Sequence, residues 1–347
     1  MKTSFVSSLA VSTALRYSMG RMQAELVKAQ KEVVTGRVAD SGLALGVRTG
    51  HSVSLARDIQ RLSGVIDSNA LVSARLSASQ GALGQLSSLA ESFRSTLTAS
   101  FSGGTDPAIA RTAAAETLET MTSLVNSSLN GEYLFAGTNT DVRPINPYAG
   151  SPAKTAFDNA FLTYFGFTQA DPAAASITAA QVEDFLDTAV QPQFLTGDWQ
   201  NNWSNATDEQ ITSRIALNET AATSVGANNT GMRKLAMASV AVQEMLRGPL
   251  AGGAQRDLME RMTILVTEAI DEIDGMRAQL GLVEGRVSAA NERLEMQVDL
   301  FTRNVHDLEG VDPYEASTKL SSLLAQIETS YSLTARIQQL SLLRYLS

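Results

Sequence analysis

Between Met262 and Leu308 the apolar positions step by four and three, through Met262, Val266, Ala269, Ile273, Met276, Leu280, Val283, Val287, Ala290 and Leu294. This is a heptad stripe, and it keeps facing one partner only if the helices supercoil. After Leu294 the step is four again, to Val298, and then Phe301, Val305 and Leu308 follow. The extra residue is a stutter that locally unwinds the supercoil. No proline interrupts the run, so it predicts a single helix of about 50 residues, about 75 Å long at 1.5 Å per residue. No compact core needs a helix of that length, so the rest of the chain must supply its partners.

The N-terminal 34 residues repeat the pattern at Leu15, Met19, Met22, Leu26, Ala29 and Val33, and Gly36 is placed to end that helix. Residues 36–50 are glycine-rich and read as a structured loop. A second long helix is predicted from about Val53 to Ser100, with its stripe thin at Asn69 and Ser73. Asp106 and Pro107 restart a helix as cap and first-turn proline. It carries Ala114, Leu118, Met121 and Val125, ends near Leu129, and gives way to an Asn130-Gly131 turn and a short strand at Tyr133–Phe135. Between Gly137 and Gly226 the heptads vanish, and five of the eight prolines and both tryptophans appear. Phe157, Phe161, Tyr164, Phe165 and Phe167 cluster on a predicted short helix, and Asp184–Leu186 lie on another. Ile211–Leu217 and Thr220–Val225 read as a hairpin. Helix returns from about Thr230 to Leu246. After the Met262 stripe, Asp312 and Pro313 open a last helix carrying Leu320, Leu324, Ile327, Tyr331, Leu333, Ile337, Leu340 and Leu343.

The pattern therefore predicts a mainly α chain, a long antiparallel helical rod or coiled coil built from the N- and C-terminal segments, with a small mixed α/β domain inserted in the middle. The expected divisions are a terminal coiled-coil region at 1–50 with 310–347, a helical rod with short hairpins at 51–141 with 211–309, and a variable insert at 142–210. A two-helix pair buries one stripe per helix and leaves apolar faces over, which ask for neighbouring subunits.

Composition narrows the function. The net charge of −9 argues against nucleic acid or an anionic membrane as the main partner. The chain has no cysteine, which removes disulfides, thiolate chemistry and cysteine zinc sites, and fits a protein that meets an oxidising exterior. No apolar run approaches a membrane span, and the N-terminus is a poor secretory signal. No phosphate-binding glycine loop and no zinc-protease motif is present. His51 and His306 are isolated in sequence, and Glu183 with Asp184 and Asp271 with Glu272 read as solvated helix faces. No catalytic, metal or cofactor-binding residue is assigned, no cofactor is expected, and an enzyme is not.

Three stretches resemble the flagellin superfamily of bacterial flagellar axial proteins. Glu32–Ala39 follow the first helix where the family has a Ser/Thr-Gly-Lys/Arg turn. Gly131–Asp141 is similar to the segment by which members between hook and filament enter their variable domain. Asp312–Ser347 matches the terminal helix. The resemblance covers roughly 1–141 and 211–347. It implies a structural part of the flagellum that joins hook to filament, exported through the flagellar channel without a cleaved signal and sited outside the cell. The implied partners are further copies in a ring, a neighbouring hook-associated protein, flagellin, and an export chaperone. The assembly interface would comprise Leu15, Met19, Met22, Leu26 and Val33 against Leu320, Leu324, Ile327, Tyr331, Ile337 and Leu340. The alternatives are a filament-forming flagellin and, from another class, a cytoplasmic coiled-coil scaffold.

Overall fold

The computed structural model describes residues 8–102 and 106–345, with side chains described except at 8, 9, 12 and 337–345. Residues 103–105, just past the expected end of the second helix, lie outside the described residues. The fold is mainly α, with 76% of the chain helical. In chain order the helices are α1 (Ser8–Thr35), α2 (Ser41–Leu45), α3 (Thr49–Phe101) and α4 (Pro107–Val125). After the hairpin β1 (Ser128–Leu129) and β2 (Glu132–Tyr133) come α5 (Pro152–Phe165), α6 (Ala179–Phe185), α7 (Gln191–Leu195) and α8 (Asp198–Asn202). A second hairpin, β3 (Thr212–Ala216) and β4 (Glu219–Ala222), precedes α9 (Thr230–Met245), α10 (Gly252–Glu309) and α11 (Pro313–Tyr345). Two compact units emerge: unit 1 is Met1–Gly64 with Leu294–Ser347, and unit 2 is Val65–Arg293.

The stripe of α10 is as the pattern predicts. Met262, Val266, Ala269, Ile273, Met276, Leu280, Val287, Ala290, Leu294 and Val305 are buried, and Val283, Val298, Phe301 and Leu308 half-buried. Within unit 2, α10 runs antiparallel to α3. The Gln80 amide donates to the Arg277 carbonyl at 2.6 Å, and the Asn69 amide donates to Asn291 Oδ1 at 2.7 Å. Helix α9 is buried on nearly every side, from Met232 through Leu235, Met237 and Val240 to Met245. A helix that is apolar all round belongs at a centre, and α9 packs heavily on α4.

Both hairpins are clipped to helices. Asn130 and Gly131 have φ of 54° and 88°, the two positive values a tight two-residue hairpin turn needs. Arg75 on α3 reaches Glu132 at 2.9 Å and the Tyr133 carbonyl at 2.7 Å. Helix α4 stops at Val125 rather than near Leu129, because the Asn126 side chain takes both the N–H and the carbonyl of Ile145 at 2.9 Å. The β3–β4 hairpin is antiparallel, with an irregularity between Arg214 and Ala216 that contains the buried Ile215. Arg286 and Arg293 on α10 both reach Glu219. The thin point of the α3 stripe now has a reason: Asn69 is fully buried, and its amide also donates to the Ile215 carbonyl at 2.8 Å.

Residues 142–210 share one core with the helices of unit 2. Trp203 stacks on Trp199 and on Tyr148, each at 5.3 Å between ring centres. Phe157 and Phe161 on α5 meet Phe185 edge-on, so the predicted aromatic cluster is the packing of α5 on α6. Past Phe185 the backbone widens into one π-helical turn, Leu186–Val190.

Replacing Asn69 by Leu strands the buried Ile215 carbonyl and should cost unit 2 about 1–3 kcal/mol. A lower urea midpoint and faster amide exchange across 212–222 are expected; unchanged values for both would contradict the role given to this amide.

Candidate assembly interface

Unit 1 is built on α1 and α11, which pack together along their length. They run antiparallel. Val38 N–H donates to the Glu309 carbonyl at 2.8 Å, Val311 N–H to the Gly36 carbonyl at 3.1 Å, and Gln23 to the Tyr331 hydroxyl at 2.9 Å. Lys319 and Glu32 form an ion pair at 3.6 Å between those two levels.

The crossing of the chain beside Gly36 is held by a backbone bridge and several side-chain bonds. Gly36 ends α1 with φ of 67°, a left-handed conformation that costs other residues more. The next residue, Arg37, bridges Gly310 in antiparallel fashion. Glu309 lies between, accepting from Arg37 at 3.5 Å and from the Ser52 hydroxyl. Glu32 holds the Ala39 N–H at 3.2 Å, and Asp40 caps α2 through the Leu43 N–H at 3.0 Å. The loop after α1 is thus a short helix fixed at both ends. Nothing in the spacing of residues 36–50 signals Glu309 as its anchor, since a lone glutamate ending a helix carries no pattern.

The buried face of α11 is Ala316, Leu320, Leu323, Ile327, Ser330 and Thr334, all buried or half-buried. On α1, Leu15, Met19, Met22, Leu26 and Val33 are half-buried around a fully buried Ala29. Leu320 and Ile327 lie on the inner face. Leu324 and Tyr331 lie on its flank, 44% and 51% exposed. Leu323, absent from the predicted stripe, turns inward instead. Ile337 and Leu340 belong to α11, but their side chains lie outside the described residues.

The main apolar core, from Leu76 to Ala290, lies wholly in unit 2. Among the described residues, twelve of the nineteen exposed large apolar side chains belong to unit 1, including Tyr17, Val27, Val34, Leu43, Val47 and Tyr314.

His51 and His306 are exposed, and Glu183 and Glu272 are taken up in ion pairs with Arg261 and Lys234. Among the described residues no group of three or more potential metal ligands gathers, and no helix is long and apolar enough to cross a membrane.

The model of the bacterial flagellin N-terminal helical region matches residues 6–140, and that of the C-terminal helical region matches 263–346. The chain belongs to the bacterial flagellin family. It is accordingly a structural part of the flagellum. The C-terminal match begins at 263, so residues 211–262, which the resemblance takes in, lie outside it. None of the curated proteins matches the chain. Among solved structures, one provisionally named a flagellar hook-associated protein, from Vibrio parahaemolyticus, shares the fold. Its TM-score is 0.52 at 10% identity, over 76% of this chain and 97% of that one.

Glu309→Ala removes the acceptor for Arg37 and Ser52 while leaving the backbone bridge. It should weaken the crossing by about 1–3 kcal/mol, read as faster amide exchange at Val38 and Val311. Exchange unchanged at both amides would show that the carboxylate contributes nothing.

Proposed function

We propose that this flagellin-family chain joins hook to filament, with copies of itself arranged in a ring. The observation that carries the reading is the antiparallel pairing of the two chain ends, with Leu324 and Tyr331 left half exposed on its flank. An α1–α11 pair offers one buried stripe and keeps apolar surface for neighbours. Those neighbours would be sister copies, a hook-associated protein on one side and flagellin on the other. Support for a junction over a filament comes from the Gly131–Asp141 segment and from the fold shared with the Vibrio protein. Export without a cleaved signal, carriage by a chaperone and a place outside the cell follow from the same reading, as does the lack of enzymatic activity.

The working residues are Leu15, Met19, Met22, Leu26 and Val33 on α1, with Leu320, Leu324, Ile327, Tyr331, Ile337 and Leu340 on α11. A filament-forming flagellin is the second reading, favoured by the names of the two matching family models. Labelled protein on intact cells separates the two: one spot at the filament base for the junction, label along the whole filament for a flagellin.

Burying a leucine or isoleucine contributes about 1.5–3 kcal/mol, and a buried unpaired carboxylate costs more. Ile327→Asp is therefore expected to leave a soluble, exported protein in cells that shed their filaments. Normal swimming and intact filaments in that strain would count against the proposal.

A further inference from the structure

Unit 2 carries a cleft of about 1050 Å³ between α4, the loop before α5, and the end of α9. Its floor is buried and polar. Tyr148 lines the cleft, stacks on Trp203, and buries its hydroxyl beside the Glu244 carboxylate. Burial and the nearby Glu244 carboxylate hold the Tyr148 pKa far above its ordinary value, so the hydroxyl stays a donor. Glu244 is 1% exposed and takes Arg247 at 3.1 Å and Lys154 at 3.3 Å; Lys154 also reaches Asp158. These floor charges satisfy one another.

The rim differs. Arg111 on α4 and Arg143 in the loop are exposed, and neither side chain has an ion-pair or hydrogen-bond partner among the described residues. Four cationic side chains, Arg111, Arg143, Lys154 and Arg247, line the cleft against the carboxylates of Glu119 and Glu244. The chain as a whole carries −9. A cationic hollow on an acidic protein draws anions to one place.

We propose that this cleft is a docking site for an acidic peptide segment of another protein. The volume slightly exceeds the roughly 300–1,000 Å³ of small-molecule sites, and the hollow is open to solvent. Leu118, Pro147 and Tyr133 supply apolar wall between the charges. The half-buried Gln243 amide supplies hydrogen bonds of the kind a peptide main chain or a carboxylate accepts. Arg111 and Arg143 take the acidic side chains at the rim, where planar guanidinium forks pair well with carboxylates. The inference rests on the cleft alone and not on the junction reading.

The test is calorimetric titration of the full chain with acetyl-Glu-Leu-Glu-Ala-Glu-Leu-Glu-amide and with its counterpart carrying Gln for every Glu. The acidic peptide is expected to bind at least about tenfold more tightly than the neutral one, and to weaken as salt shortens the Debye length toward about 8 Å. Arg111→Glu with Arg143→Glu should cost about tenfold in affinity. Arg57→Glu with Arg303→Glu, the same charge change on exposed residues outside the cleft, should cost nothing. Arg111→Gln with Arg143→Gln removes the two exposed rim charges without reversing them, and should weaken binding at least about threefold even if the charge-reversed pair fails to fold. Unchanged affinity in the Gln pair would overturn the proposal. No binding of the acidic peptide, equal binding of both peptides, or equal losses in the two arginine pairs would overturn the proposal.

Discussion

A helix with one apolar stripe is half a structure, and everything in this protein follows from how its stripes are covered. Isolated helices are marginal in water even when their residues favour helix, so most of their stability comes from the covered face. Here α1 and α11, some 280 residues apart in sequence, cover each other in antiparallel sense. The Arg37–Gly310 bridge sets their level, because it fixes which turn of α1 meets which turn of α11. Lys319 with Glu32 and Tyr331 with Gln23 then lie at successive levels along the pair.

The two units answer the same constraint in different ways. In unit 2 the buried stripes of the helices share one core, and α9 is enclosed by its neighbours. The stretch at 142–210 adds a column of stacked Tyr148, Trp203 and Trp199 to that core. Unit 1 closes one stripe and leaves other apolar side chains short of cover. Its remaining apolar side chains, Val27 and Val34 on α1 and Leu324 and Tyr331 on α11 among them, stay in the open. For a structural part of the flagellum that shortage is useful. A surface completed only by neighbours couples stability to assembly, since whatever binds the folded form also stabilises it.

Much of this was legible in the sequence, and where it was not the reason is physical. Heptad spacing found the buried stripe of α10 from Met262 to Leu308, because each step of four or three reports which face is covered, but it missed the helix's first ten residues from Gly252. Asp106-Pro107, Asp312-Pro313 and Asn130-Gly131 marked starts and a turn, because caps and left-handed backbone need particular side chains. Periodicity could not choose between Leu323 and Leu324. They are adjacent, both are apolar, and only the contact with α1 decides which turns inward. The dip at Asn69 looked like a weak helix and is a polar anchor for a hairpin some 146 residues later. Glu309 and Glu244 were invisible, since a buried carboxylate is defined by partners such as Ser52 and Lys154 that lie far off in sequence.

The central claim, that the two ends of one chain pair with each other, can be tested without altering a residue. Glu32 and Lys319 stand 3.6 Å apart, within reach of a zero-length carbodiimide crosslink. Light- and heavy-isotope copies of the protein are mixed, treated, digested and analysed by mass spectrometry. The account predicts a Glu32–Lys319 linkage whose two peptides always carry the same isotope label. A linkage that mixes labels, or none at this pair, would contradict it.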